Sequence, residues 1–236
     1  MSGFVLKGAL VEFMPTFLPV PVPNVIVFQY NPETMTHSWT QPMPATRAGS
    51  EASNPLAVGG TPGEAFSFTI AMDARDEIAD GRAPAAALAA ASGVYGRLAA
   101  LEMLLYPTGP ARPGLTGTVT AAVASALSGA VAGPVRTVPQ SVLPMTLFIW
   151  GPGRIVPVRV TDLVVTEQLF DAALSPVHAE AQLTLRVLTP AELAASDGVL
   201  GRLATVAYNY TLSLRQALAV ANLANASESV IGMIPH

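Results

Sequence analysis

The sequence predicts a mainly β protein of the α+β class, with one internal helix and a helical C-terminal segment. Three strands joined by two turns are predicted within residues 147–188. The Gly-Pro-Gly run at residues 151–153 supplies the backbone angles of a tight turn, and residues 155–169 after it are rich in β-branched side chains. Residues 178–188 then alternate apolar and polar side chains with a period of two, which is typical of a strand with one solvated face.

More strands are predicted on the N-terminal side of this region. Residues 7–13 and 25–30 are short apolar runs, and the prolines between them exclude a helix there. Further strands are predicted at residues 35–39, 66–72 and 143–150. Residues 40–62 hold four prolines and three glycines, so that stretch is predicted to be a loop.

The internal helix is predicted at residues 85–105. Pro84 suits the first turn of a helix, and the residues after it are rich in Ala, Leu and Met. The acidic stretch at residues 73–81 is interpreted as a solvated turn that leads into this helix. Its oxygens do not follow the order of a calcium-binding loop, so a cation site is not expected there.

A final helical segment begins at Pro190. Its apolar residues recur every three or four positions and therefore share one helix face: Leu200, Leu203, Val206, Tyr210, Leu214 and Leu218. We interpret this face as a packing surface within the protein, with a helix that docks on a partner as the alternative. The chain is thus divided into a β domain at residues 1–189 and a helical extension at residues 190–236.

An Ala/Gly/Pro-rich insertion loop is predicted at residues 106–140, inside the β domain. Residues 115–135 within it carry no charge and are numerous enough to cross a membrane. However, they are mostly small residues, and they lack the flanking aromatic and cationic anchors of a membrane span. A loop is therefore the preferred interpretation, and no membrane partner is expected.

Charge and composition limit the classes of partner. The chain has 12 Lys and Arg residues against 16 Asp and Glu residues and no basic cluster, which argues against nucleic acid. Charged residues make up only 12% of the chain, whereas roughly 25% is usual. A surface with so few charges is typical of a subunit that neighbours cover in a ring or stack. The first residues lack the features of a secretion signal, so synthesis in the cytoplasm is expected.

No catalytic, cofactor or metal site is predicted, and the protein is not expected to be an enzyme. There is no cysteine, and the histidines His37, His178 and His236 are dispersed. His178 and Glu180 match the His-x-Glu of zinc deaminases, but the cysteine pair that this motif requires is missing. Neither of the common glycine-rich phosphate-binding motifs occurs.

Several residues follow a family pattern in a fixed order along residues 7–188. They lie at the ends of two predicted strands and in the two predicted turns: Phe28, Tyr30, Asn31, Pro32, Asp73, Trp150, Gly151, Phe170, Asp171, Pro176 and His178. In this order they resemble the tube-protein domain of contractile injection systems. The sequence departs from that family at Ala172, Leu174 and His178, where relatives often have Pro, Gly and Arg. Nothing after Pro190 resembles the LysM module of many relatives, so peptidoglycan binding is not carried over.

The resemblance implies a tail-tube-like β-barrel that assembles as a six-fold ring. The implied function is a structural baseplate component that joins the inner tube to the spike hub and templates tube assembly. The implied partners are further copies of the chain, the inner tube protein, the spike or hub protein and other baseplate proteins. The particle would resemble a phage tail and either stay in the cytoplasm or be released. The predicted strand at residues 155–169 exceeds the usual five or six residues, as expected for a subunit that lends strands to neighbours.

Two other functions stay open from the sequence. The chain is also compatible with an inner-tube subunit or a tube terminator of the same machine, although its length and helical extension favour the adaptor. The alternative from a different class is a non-enzymatic β-domain that binds a small ligand or carbohydrate.

Overall fold

A computed structural model describes most of the chain. The described residues are 5–14, 22–43, 56–81, 85–107, 143–196 and 198–231. Residues 108–142, which contain nearly all of the predicted insertion loop and the whole of the 115–135 stretch, lie outside this set, as does His236.

Seven antiparallel strands form one sheet within the described residues. Their bounds are β1 Ala9–Met14, β2 Val22–Val27, β3 Met35–Thr40, β4 Gly63–Asp73, β5 Met145–Ile149, β6 Ile155–Phe170 and β7 Pro176–Val187. The order across the sheet is β2-β1-β5-β6-β7-β4-β3. The predicted mixed α+β class, rich in β-strands, is confirmed, and each predicted strand is present with bounds shifted by a few residues.

The expected β-barrel is wrong, because the sheet is curved but not closed. Phe66 of β4 and Phe148 of β5 have ring centroids 5.3 Å apart, although β6 and β7 lie between these strands. In a flat sheet three strand spacings span roughly 14 Å, so the sheet must bend sharply around these rings. Closure would need β2 to pair with β3, and no such ladder forms among the described residues. Pro23 in β2 lacks an amide hydrogen, which suits β2 to an edge.

Five helices accompany the sheet in the described residues: α1 Ala74–Asp80, α2 Ala85–Ser92, α3 Tyr95–Met103, α4 Pro190–Ala194 and α5 Val199–Ile231. The expectation of one internal helix is therefore wrong. The acidic stretch forms α1, because the Asp73 carboxylate accepts from Arg75 N at 2.8 Å and Gly81 ends the helix with φ of 63°. None of the five is long and apolar enough to cross a bilayer.

The predicted helix at 85–105 is interrupted at Gly93. This glycine has φ of 59°, and a Cβ added to it would lie 2.1 Å from the carbonyl oxygen of Pro176. The next residue, Val94, donates its backbone N–H to that same oxygen at 2.8 Å. The start of β7 thus takes a hydrogen bond at the point where the helix breaks, which fixes β7 against the turn between α2 and α3.

The core lies on the concave side of the sheet. It combines aromatic and aliphatic side chains of the strands with one face of α3, including Leu10, Phe28, Phe66, Phe148, Leu98, Leu101, Leu183 and Leu185. In β7 the buried and exposed positions alternate as predicted, with Leu183 and Leu185 fully buried.

Strand β6 changes its facing part-way along. The ladder register shifts between Val160 and Asp162, where one extra residue sits in β6. Before this bulge Val158 and Val160 are in the core, and after it Leu163 and Val165 pack against the core. The inward positions therefore pass from even to odd residue numbers.

The predicted packing face of the C-terminal helix is wrong. Val206 and Leu218 are 65% and 62% exposed, and Leu203 and Tyr210 are also exposed. The buried positions of α5 are instead the small residues Gly201, Ala204, Ala207 and Thr211. Small side chains let the helix backbone lie close to the sheet, where Ala207 packs in a cluster with Val11 and Leu147. The Thr211 hydroxyl accepts from Ile155 N at 3.0 Å and donates to Ile155 O at 2.7 Å.

Gly8 is a point at which the fold leaves no room for a side chain. A Cβ there would lie 2.6 Å from the Trp150 ring and 2.8 Å from the Phe28 ring. We expect Gly8→Ala to lower the free energy of unfolding by about 1–3 kcal/mol, the usual cost of overpacking. Gly63→Ala is the matched control, because its Cβ would meet nothing closer than Thr40 O at 3.8 Å. Urea denaturation measures both, and equal midpoints for the two variants would contradict this packing.

Candidate assembly interface

Most of the residues that carry the family resemblance meet at one end of the sheet. Here β4 finishes at Asp73 and β7 begins at Pro176, with Asp73 opposite His178 in the ladder. We call this end, together with the turn between β6 and β7, the hairpin end. The helix end is opposite, where β4 and β6 begin and α5 crosses.

Two amide side chains of the segment after β2 bind backbone groups as a strand would, Asn31 just before β1 and Gln29 at the end of β4. Asn31 Oδ1 accepts from Gly8 N at 2.9 Å, and Asn31 Nδ2 donates to Leu6 O at 2.8 Å. Gln29 Nε2 donates to Asp73 O at 2.7 Å, and Gln29 Oε1 accepts from Asp73 N at 2.9 Å. The segment after β2 is thereby tied both to the N-terminal strand and to the end of β4. Gln29 was not among the predicted site residues. Its position beside Tyr30 and Asn31 is the only sequence feature that could have identified it.

Phe28 and Trp150 belong to the core beneath this segment. Phe28 is 1% exposed, and its ring lies 5.5 Å from Phe68 and 6.5 Å from Trp150. Trp150 N donates to Arg154 O at 2.8 Å and closes the β5–β6 turn, in which Gly151 adopts φ of 67°. Phe28, Trp150 and Gly151 thus have structural roles, and Pro32 is half-buried.

Asp73, Tyr30 and His178 lie near the start of α1. His178 Nδ1 is 3.5 Å from an Asp73 carboxylate oxygen, and the Tyr30 hydroxyl donates to the Asp76 carboxylate. That hydrogen bond, followed by partial burial and the charge of Asp76, raises the pKa of Tyr30 to about 12. In the described residues no three His, Cys, Asp or Glu side chains lie close enough together to hold a metal ion.

The turn between β6 and β7 is organised by Asp171. Its carboxylate accepts from Ala173 N and Ser175 N, both at 2.8 Å, and its own N–H donates to Ser175 O at 3.0 Å. Leu174 adopts φ of 63°, which is the backbone conformation that a glycine would favour at this position. The departure from the family pattern at residue 174 therefore retains a glycine-like turn at the cost of backbone strain.

The tip of this hairpin is apolar and exposed. Leu169, Phe170 and Leu174, here called the assembly tip, are 58%, 53% and 79% exposed. Leu169 and Leu174 are also the two residues other than glycine with positive φ in the described chain. A left-handed conformation costs roughly 1–2 kcal/mol per residue. Residues in strained backbone conformations are frequent at functional sites.

The assembly tip continues into an unpaired strand edge. Strand β5 pairs with β6 only from Ile155 to Val158. Beyond that point β6 pairs with β7 alone, so its other edge at residues 159–170, here called the open edge, has no partner among the described residues. At about 3.3 Å per residue the open edge is roughly 40 Å long. Val164 at its middle is 50% exposed. A long unpaired edge with apolar residues is a template for pairing with another strand.

Comparison with known proteins gave no match, either to a protein-family model or to a curated protein sequence.

The Tyr30–Asp76 hydrogen bond makes a prediction about stability at high pH. The folded-state pKa of Tyr30 is raised from 10 to about 12, so its contribution is fully present below pH 10 and is lost as the pH rises to about 12. We expect Asp76→Asn to reduce the stability lost by the protein between about pH 9 and about pH 11, measured as urea midpoints. Asp80→Asn is the control, because Asp80 is the smallest of the contributing charges. Equal pH dependence of the two variants would refute this assignment.

The strain at Leu174 gives a second test. Leu174→Gly removes the left-handed strain, while the exposed side chain loses no packing, so we expect stabilisation of about 0.5–1 kcal/mol. Leu174→Ala keeps the strain and should bring no such gain. Chemical denaturation of the two variants compares them, and a gain for alanine as large as for glycine would show that the backbone is unstrained.

Proposed function

We propose that this protein is a structural baseplate subunit of a contractile injection system. In this proposal six copies form a ring that joins the inner tube to the spike hub and templates tube assembly. The single observation that supports it most is the open edge of β6, which runs into a strained apolar tip on a sheet that does not close on itself. The order of the signature residues along the sequence supports the same assignment.

The open edge supports ring formation by strand addition. Main-chain donors and acceptors along residues 159–170 can pair with a strand of a neighbouring copy. Strand β2, at one side of the sheet, offers an edge for such pairing. A contact between two different surfaces of identical subunits closes into a ring when the rotation fits. The low content of charged residues, 12%, suits a subunit whose surface is largely covered by neighbours.

The remaining partners in this proposal are the inner tube protein, the spike or hub protein and other baseplate proteins. The protein would act without catalysis or cofactor. It would be made in the cytoplasm and join a phage-tail-like particle. An inner-tube subunit or terminator would use the same edge, and it is distinguished by the number of rings in each particle.

A charge on the open edge tests the proposal. We expect Val164→Lys to abolish six-fold rings, because a lysine on an edge strand opposes the addition of a further strand. Met103→Lys on α3 is the matched control, since Met103 is 49% exposed and Val164 is 50% exposed. Sedimentation and electron microscopy of particles from cells that make the whole system give the readout.

The baseplate proposal requires one six-fold ring beneath the tube in those particles. Many stacked rings would identify a tube subunit instead. Rings that persist in Val164→Lys would remove the open edge from the interface. Neighbouring genes for sheath, tube and spike proteins are expected, and an operon of sugar metabolism would exclude the proposal.

A further inference from the structure

A half-buried ionic cluster lies at the helix end of the sheet, away from the assembly tip. Its centre is the Glu64 carboxylate, which is 7% exposed at the start of β4. His37 Nε2 lies 2.7 Å from Glu64 Oε1, and Arg215 of α5 binds both carboxylate oxygens, with Nη1 donating to Oε2 at 2.9 Å. No sequence motif marks Glu64 or Arg215, which are 151 residues apart.

Aromatic rings surround the cluster. The His37 ring stacks on Phe66 with centroids 4.1 Å apart and lies 3.7 Å from the Trp39 ring. The Arg154 guanidinium lies over the Phe66 ring, with its Cζ atom 5.2 Å from the ring centroid. Charged groups in such apolar surroundings interact more strongly than they do in water.

Positive charge is in excess in this cluster. Glu64 is its one carboxylate, and Arg154 forms no salt bridge with any carboxylate of the described residues. Burial, and then the charge of Arg215, lower the pKa of Arg154. Burial also opposes ionisation of Glu64, but the hydrogen bonds from Arg215 and His37 outweigh it and lower the pKa of that carboxyl. The cluster therefore holds two guanidinium groups and one carboxylate, which only Arg215 binds directly.

A cavity of about 580 Å³ opens beside the cluster. Its lining includes Trp39, Pro62, Glu64, Tyr208, Leu212 and Arg215. Trp39 is 57% exposed, so one face of its ring is accessible for stacking. Cavities of roughly 300–1,000 Å³ with a mainly apolar lining and a few polar groups are typical of small-molecule sites.

We propose that this cavity binds an organic carboxylate that carries an aromatic or apolar body. Of the five N–H donors of Arg215, Glu64 occupies two, so donors remain for a second carboxylate. The positive charge of Arg154 favours that second anion, and the body of the ligand stacks on Trp39 and packs on Leu212. Such a carboxylate is either a free small molecule or the C-terminus of a partner chain. The site lies apart from the open edge and does not depend on ring formation.

A purely structural role for the cluster makes a different prediction. If the Arg215–Glu64 pair serves only to hold α5 on the sheet, the cavity has no preference for an anion. Comparing the binding of a carboxylate with that of an uncharged analogue of the same shape distinguishes the two roles.

Isothermal calorimetry on the full chain tests the proposal. The probes are phenylacetate and N-acetyl-phenylalanine, each compared with its uncharged amide. We expect each carboxylate to bind at least about tenfold more tightly than its amide. Tighter binding of N-acetyl-phenylalanine indicates a chain terminus as the natural ligand, and tighter binding of phenylacetate indicates a free small molecule. Equal binding of acid and amide, or no binding of either acid up to about 20 mM, would overturn the proposal.

Single-residue variants test whether the carboxylate binds in this cavity. Arg154→Gln and Trp39→Ala should each weaken carboxylate binding at least about fivefold, through the lost charge and the lost stacking surface. Trp39 is exposed, so its variant keeps the fold even if Arg154→Gln does not. Arg202→Gln, at an exposed position on the same helix as Arg215, should bind like the parent protein. Undiminished binding by Trp39→Ala would place the ligand elsewhere and refute the site.

Discussion

The contact between the Phe66 and Phe148 rings constrains the rest of this fold. Two rings on strands that are separated by two others can meet only if the sheet bends around them. The bend brings the two sides of the sheet toward each other without joining them. Phe28 then packs between Phe68 and Trp150, and the Gln29 amide links the segment after β2 to the end of β4 across the gap between the two sides. Helices α2 and α3 cover what remains of the concave face.

This arrangement gives the molecule two chemically different ends. At the hairpin end, the carbonyl of Pro176 anchors β7 on the turn before α3, while the apolar tip beyond it projects into solvent. At the helix end, α5 is held by the Thr211 hydroxyl and by Arg215, and a cavity forms beside the charged cluster. Assembly and ligand binding would therefore use surfaces that do not overlap.

Local signals predicted the strands, but not the relations between distant segments. The alternation in β7 and the glycine in the turn at residue 151 are properties of neighbouring residues, so they could be recognised in the sequence. Closure of the sheet depends on whether β2 and β3 meet, and no local pattern encodes that. The face of α5 was misassigned because small residues pack most closely, whereas hydrophobic spacing draws attention to Leu203 and Val206. The Glu64 cluster joins four segments of the chain and left no motif in any of them.

The bulge in β6 gives this strand an asymmetric tolerance to genetic change. Thr161 is the extra residue of the bulge. Because of it, the next side chain after Val160 that faces the core is that of Leu163. Deletion of Thr161 would restore regular alternation and leave Val160 and Leu163 facing inward, whereas a one-codon deletion elsewhere in the strand would turn the side chains on one side of it to the opposite face. Single-residue deletions in β6 should therefore be tolerated better at Thr161 than at the regularly paired positions before and after it.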